Sequence, residues 1–416
     1  MSDSLLAQAL TLGNGSVLPN RIAKSAMSEG MGTMDNRVTP ALVQLYQAWG
    51  QGGTGLIITG NVMIDRRALG EPGNVALEDE RDMPLLQQWA RAATQNGAQC
   101  WMQLNHPGRQ SPKGLNAETV APSAVPFRAD MQMMFGTPRA LTEAEINDLI
   151  ARFARAAALC KQAGFTGVQI HGAHGYLISQ FLSPLTNQRT DQWGGSAENR
   201  RRFVLEVLAA MRAAVGADFP IGIKLNSADF QRGGFEEAES LEVMQALADA
   251  GIDLIEISGG TYEAPQMTGI QPGQRESTRQ REAYFLSFAE KLRARVKTPL
   301  MVTGGFRTPH GMNAALASGA LDVVGVARQL AIEPDAPLRW LAGQDSRHQV
   351  RQQIKTGIPF VDKGGLMEVM WYSRQLKRIG RGKPPCPNES GLASLAWNMV
   401  GNMRGTLKTR RLRART

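Results

Sequence analysis

The chain has 416 residues, of which 43% are hydrophobic and 20% charged, with a formal net charge of +9. That length allows one to three domains and at least one large core, and no apolar run approaches the roughly 18–20 residues of a membrane helix. Cys100, Cys160 and Cys386 show no paired spacing, which argues against a disulfide framework or a cysteine-ligated cluster and suits a reducing cytoplasm.

The start, MSDSLLAQALTLGNGSVLPNR, lacks the basic segment and apolar stretch of a signal peptide, so a cytoplasmic location is expected. Charge is unevenly placed. Residues 336–416 hold 16 Lys/Arg and 4 Asp/Glu, against 30 and 33 in residues 1–335. A near-neutral body of 1–335 therefore carries a basic extension of 336–416, and nucleic-acid binding is not expected of the body.

In chain order, the apolar runs RIAKSAM (21–27), GLIITG (55–60), AQCWMQLN (98–105) and GVQIH (167–171) read as strands. IGIKLN (221–226), DLIEIS (253–258), LMVTGG (300–305) and DVVGVA (322–327) continue the series. Their Ile, Val and Leu show little polar alternation, as in strands buried on both faces. Amphipathic segments lie between them, among them 142–163 and 196–214. The first opens with Thr142 three residues before Glu145, the spacing of a capping box. Eight strand–helix units over about 300 residues predict a (β/α)₈ barrel. A doubly wound sheet would bring a glycine-rich turn after its first strand, and none is present. Two long connections, 106–141 and 259–278, would overhang the mouth, where barrels place their active sites. In 364–383, Leu366, Met370, Leu376 and Ile379 have helical spacing, which predicts a helix packed on the barrel. Residues 403–416 read as a solvated end.

Polar residues gather at the predicted strand ends. Ser28 follows the first, Gly60 ends the second, and Gln103 lies near the end of the third. His171 ends the fourth, with His174 and Tyr176 just beyond, in a chain with five histidines and five tyrosines. The last two strands end in TGGF (303–306) and VARQ (326–329). Glycines at a helix start admit an anion, and Arg328 would add a forked cation. Lys224 lies within an apolar strand and would need an anionic or strongly accepting partner if it entered the barrel mouth. A snorkelling lysine and a Schiff-base lysine are the other readings. His171 and His174 lack a third ligand for zinc, so no metal is expected. They remain either loop histidines with local partners or a donor pair for a substrate oxygen, with Tyr176 as a proton source.

The run HGAHGYLISQFLSPLTNQRTDQWGGSAENRRRF, together with QLNHPGRQ (103–110), APSAV (121–125) and TPRALTEAEI (137–146), resembles the old yellow enzyme family of FMN-dependent NAD(P)H oxidoreductases from about residue 10 to 335. The resemblance implies that Ala26, Met27 and Ser28 lie against the flavin, with Gly60 and Gln103 beside its ring system. It implies that His171 and His174 bind a carbonyl or nitro oxygen and that Tyr176 is the proton donor. Gly304, Gly305, Ala327 and Arg328 correspond to the phosphate-binding strand ends. Lys224 stands where the family usually has Arg near the flavin's pyrimidine edge, and can supply positive charge without the forked contact. Ala327 replaces a glycine, and Ser28 replaces the Thr or Cys of many relatives. The iron–sulfur cluster and second nucleotide-binding domain of larger members are not expected.

The resulting expectation is an ene-reductase using FMN and NADH or NADPH. It would reduce an electron-poor alkene by hydride from reduced flavin and a proton from Tyr176. The rivals are a Schiff-base aldolase or phosphate-binding isomerase using Lys224, and a nucleic-acid- or membrane-binding protein acting through its tail. A homo-oligomer stays open.

Overall fold

The computed structural model describes residues 4–264, 285–351, 353–358, 362 and 366–397. Eight parallel strands close into a barrel: β1 (Ile22–Lys24), β2 (Leu56–Met63), β3 (Gln99–Asn105), β4 (Gly167–Gly172), β5 (Ile221–Asn226), β6 (Leu254–Ser258), β7 (Leu300–Thr303) and β8 (Val323–Val326). Each pairs with its neighbours in sequence, and β8 closes on β1. The barrel predicted from the eight apolar runs is the observed fold.

Helices surround it: α1 (Pro40–Gln51), α2 (Met83–Ala93), α3 (Glu143–Gln162), α4 (Leu177–Leu182), α5 (Ala197–Val215), α6 (Glu237–Asp249), α7 (Leu286–Arg293), α8 (Pro309–Ala317), α9 (Arg328–Ile332), α10 (Ala336–Leu341) and α11 (Leu366–Ile379). The capping box at α3 forms as its spacing predicts, with Thr142 accepting from the Glu145 N–H and Glu145 accepting from the Thr142 N–H. Such a cap satisfies N–H groups that a helix start leaves unpaired.

The strands alternate as the pleat demands. Ala23, Leu56, Ile58, Trp101, Leu254, Met301 and Val323 fill the inside. Ile22, Ile57, Cys100, Val168, Ile223 and Ile255 face the helices. Trp101 needs room across the floor. A Cβ on Gly167 or Gly222 would lie 2.6 or 2.8 Å from its indole, so both neighbours are glycine. An antiparallel pair, Leu10–Thr11 with Val17–Leu18, adds Leu12 and Leu18 to this inner cluster.

Three strand ends differ from the sequence reading, each for a local reason. Ladder pairing of β1 stops at Lys24, and residues 25–28 leave it to form the rim of the mouth. β7 stops at Thr303 because Gly304 and Gly305 adopt φ of 122° and 92°, outside what a strand allows. β2 runs on to Met63 through a register shift between Ile58 and Asn61, a bulge that re-aims Gly60.

In α11, Met367, Trp371, Tyr372, Leu376 and Ile379 join the core shared with the barrel helices, and Met370 packs at its edge. A Cβ on Gly380 would meet the Ala41 carbonyl at 2.6 Å and Met31 at 2.4 Å. The predicted helix packs on the barrel as expected through Leu376 and Ile379, while in its first half Met367 and Trp371 take the inward places and Met370 sits at the edge. The Leu366 side chain, residues 265–278 of the second long connection and residues 403–416 lie outside the described residues. Among those described, no helix is long and apolar enough to cross a membrane.

Candidate active site

The carboxyl ends of the strands bring all the singled-out polar residues to one face of the barrel. The first rim segment, Ala26-Met27-Ser28, is held from behind. Buried Glu29 accepts from the Tyr46 hydroxyl and from the Gly60 N–H at 3.0 Å. A Cβ on Gly60 would lie 2.1 Å from the Glu29 carboxylate and 2.5 Å from the Met27 carbonyl, so only glycine lets the two rims meet. Lys24 Nζ donates to the Ile58 carbonyl at 2.7 Å, sits 4.0 Å from Glu29 and lies 4.3 Å from the Trp49 ring centroid. Burial pulls its pKa down to about 8 against the pull of Glu29. Lys24, Glu29 and Tyr46 are supports that sequence reading missed. A lysine inside RIAKSAM is the same signal that marked Lys224.

Gln103 is 1% exposed and donates from Nε2 to Gln169 Oε1 at 2.7 Å. Gln169 in turn donates to Glu256 Oε2 at 2.7 Å. Lys224 Nζ lies 3.0 Å from Glu256 Oε1, with side-chain exposures of 5% and 0%. Thr303 donates to the same Oε1 at 2.6 Å, and Ser25 pairs with Thr303 at 2.8 Å. Lys224 thus enters the barrel mouth rather than snorkelling outward, and Glu256 is its anionic partner. The sequence held the clue: Glu256 is the acidic residue inside an apolar barrel strand, and it stands in register with Lys224.

His171, His174 and Tyr176 come together after β4. Ring centroids are 5.2 Å apart for the two histidines and 4.7 Å for His171 and Tyr176. His174 has φ of 62°, and its N–H donates to Asn226 Oδ1 at 3.1 Å. That left-handed turn re-aims the chain, and Gly175 continues it at φ 77°. His171 Nδ1 accepts from the Ala173 N–H at 3.4 Å, which places the proton of the neutral ring on Nε2. His174 Nε2 lies 2.8 Å from Ser258 Oγ. If Ser258 donates, His174 carries its own N–H on Nδ1. Ser258 therefore bears on which nitrogen of the ring donates, a contact invisible before β6 was placed beside β5.

Burial holds both histidines well below the usual imidazole range, with neighbouring cationic charge pushing the same way. They are neutral at pH 7. An ordinary histidine charges near pH 6.5. Binding of a neutral enone to the holoprotein, followed by flavin absorbance, is therefore expected to stay flat from about pH 8 to about pH 5.5. An inflection near 6.5 would show that one imidazole charges in the site. Burial likewise pushes the Tyr176 phenol well above 10, with Tyr262 adding to it. The Tyr176 and Tyr262 hydroxyls are 2.8 Å apart. Tyr262 lies in the second long connection, 259–278, with nothing in its spacing to mark it. Burial pushes its phenol up to about 12, although the residue as a whole is 40% exposed.

On the far side of the mouth, Gly304 and Gly305 end β7, and Ala327 leads into α9, which Arg328 opens. The extension reaches both rims. Ser373 of α11 donates to the Ser28 carbonyl at 3.3 Å, and the Arg328 charge acts on the neighbouring Tyr372 phenol. Among the described residues, no group of three or more His, Cys, Asp or Glu is arranged to hold a metal ion.

The donor set fits a flavin mononucleotide. Two left-handed glycines ending β7, with Arg328 following the neighbouring strand β8, suit its phosphate. A buried amide at Gln103 and the Lys224 cation at the mouth suit the polar edge of its ring.

The sequence pattern of the NADH:flavin oxidoreductase / NADH oxidase family matches residues 6–345, and the chain belongs to that family. It is 40% identical over 358 residues to the NADH-dependent flavin oxidoreductase iccE of Talaromyces variabilis, covering 81% of this chain and 86% of that protein. It is 38% identical over 360 residues to the corresponding iliE of Neonectria sp. (strain DH2), covering 81% of this chain but 47% of that longer protein. An old yellow enzyme homologue from Zymomonas mobilis superposes with a TM-score of 0.68 at 26% identity, over 81% of this chain and 92% of that one. The chain is an oxidoreductase of the old yellow enzyme type, with FMN as cofactor and NADH or NADPH as reductant.

Proposed function

We propose that this enzyme reduces the activated C=C bond of α,β-unsaturated carbonyl or nitro compounds. The observation that carries the reading is the convergence of two neutral histidines and one high-pKa phenol on a single flank of the mouth. FMN, when bound, supplies the hydride chemistry, taking two electrons from the nicotinamide and returning them to an electron-poor carbon. The protein's part is to hold oxygen and proton. His171 Nε2–H and a Ser258-set N–H on His174 would bind the carbonyl or nitro oxygen, and the charge that builds there is stabilised by donors in a dry site. Neutral imidazoles donate without offering an acidic proton to that oxygen. Tyr176, still protonated at neutral pH, delivers its proton to the α-carbon.

We assign Ala26, Met27, Ser28 and Gly60 to the face of the flavin, Gln103 and Lys224 to its pyrimidine edge, and Gly304, Gly305, Ala327 and Arg328 to its phosphate. Losing the charged contact in Arg328→Ala is expected to weaken FMN binding about 10- to 150-fold, from roughly 1.5–3 kcal/mol. Titration of apoprotein with FMN measures it, and undiminished affinity would place the phosphate elsewhere.

The aldolase reading loses its footing at Lys224. A Schiff-base lysine must present its amine to substrate, whereas Lys224 Nζ is engaged by the buried Glu256 3.0 Å away. The substrate class is tested anaerobically with NADH and NADPH against a cyclic enone, a nitroalkene and an unactivated alkene. Nicotinamide oxidation should require the activated alkene and yield saturated product one for one. Turnover supported only by oxygen or quinones would overturn the proposal.

A further inference from the structure

We propose that Glu256 is a positioning residue that sets the electrostatic field at the flavin's pyrimidine edge, by neutralising Lys224 and fixing which way Gln103 faces. This rests on the placement of Lys224 and Gln103 beside the flavin given above.

Glu256 is fully buried, and three donors face its two oxygens: Lys224 Nζ at 3.0 Å, Thr303 Oγ1 at 2.6 Å and Gln169 Nε2 at 2.7 Å. Facing the Lys224 ammonium, which can only donate, Glu256 acts as a carboxylate. A carboxylate can only accept. The Gln169 amide must therefore turn its NH₂ toward Glu256 and its oxygen toward Gln103. Gln103 must then turn its own NH₂ to Gln169, at 2.7 Å. The carbonyl oxygen of Gln103 is left to accept, as an imide N–H at the ring edge would require, while its Nε2 keeps one further N–H. One buried anion thus dictates the polarity of an amide chain running from β6 across β4 to β3.

The same anion cancels the cation. Reduction puts negative charge on the pyrimidine ring, which a lone Lys224 would stabilise, as opposite charges attract strongly in a low-dielectric site. With Glu256 at 3.0 Å, the pair presents a dipole instead. The reduced cofactor is held less favourably, and its electrons are given up more readily.

Purified Glu256→Gln holoprotein tests this without turnover. Sulfite adds to oxidised flavin and leaves negative charge on the same ring, so its affinity reports the same field. The variant is expected to bind sulfite about 10- to 100-fold more tightly, because one charge is unmasked at close range. The flavin midpoint should rise correspondingly, by about 30–60 mV for a two-electron couple. Glu256→Asp, which keeps the charge but shortens its reach, should move both in the same direction by less. A purely structural role would weaken FMN retention in both redox states and leave sulfite affinity and midpoint in place, which would overturn the proposal. Lys224→Gln separates the two layers. If it lowers sulfite affinity and Glu256→Gln does nothing, only the role of Glu256 falls. If neither variant moves the flavin, the pyrimidine-edge placement falls and the proposal with it.

Discussion

Replacing Tyr176 with phenylalanine is expected to slow enone reduction about 10²–10⁴-fold, the usual loss when a general acid is removed. Flavin retention and flavin reduction by NADH or NADPH should stay nearly intact, because accepting hydride from a nicotinamide draws no proton from that phenol. The change removes one hydroxyl and leaves a ring already packed against His171 and Tyr262. Its other consequence is that the Tyr262 hydroxyl loses its partner at 2.8 Å. His171→Ala with His174→Ala should behave differently, weakening ligand binding and slowing flavin reoxidation together, since both use the oxygen-binding donors. Stopped-flow measurement of the two half-reactions separates these roles. Equal slowing of both half-reactions by Tyr176→Phe would mean the phenol shapes the pocket generally and is not the proton donor.

Lys224→Met is expected to destabilise the fold by about 3–5 kcal/mol, the cost of leaving one member of a buried ion pair without its partner. Glu256 has no solvent exposure, and losing Lys224 leaves it with Thr303 and Gln169 as neutral donors. A lost surface lysine would cost a few tenths of that. Pairing Lys224→Met with Glu256→Leu should recover most of the loss, because two apolar groups need no compensation. Denaturant unfolding of the single and double variants provides the measurement. A single-variant cost below about 1 kcal/mol would mean that the carboxylate reaches water or a proton at little expense.

Much of the architecture was legible because buried parallel strands leave a simple trace. Runs such as GVQIH and IGIKLN are apolar on both faces, and the Thr142–Glu145 spacing marks its helix without ambiguity. The strand ends were less so, since a Gly304–Gly305 pair reads as strand or as turn until its dihedrals are known. The site divides in the same way. His171, His174 and Tyr176 stand within six residues and were visible as a cluster. Ser258 and Tyr262 reach His174 and Tyr176, and Glu256 reaches Gln169, only once the fold brings residues 84 to 87 positions apart together. Periodicity carries no information about such pairs. Only the charge in an apolar strand offered a hint, and it asked for a partner without naming one. The reach of α11 to Ser28 and Arg328 had no local signature at all, because helical spacing shows which face packs and not what it packs against.

The source of the two added hydrogens tests the central claim most directly. Cyclic enone should be reduced by holoprotein once in D₂O with ordinary NADH, and once in H₂O with nicotinamide deuterated at its transferable position. The products are then read by NMR and mass spectrometry. If the α-carbon takes its hydrogen from solvent through Tyr176 and the β-carbon takes the nicotinamide's by way of the flavin, each experiment places one deuterium at its own carbon. Absence of saturated product, or a nicotinamide label at the α-carbon, would contradict the account.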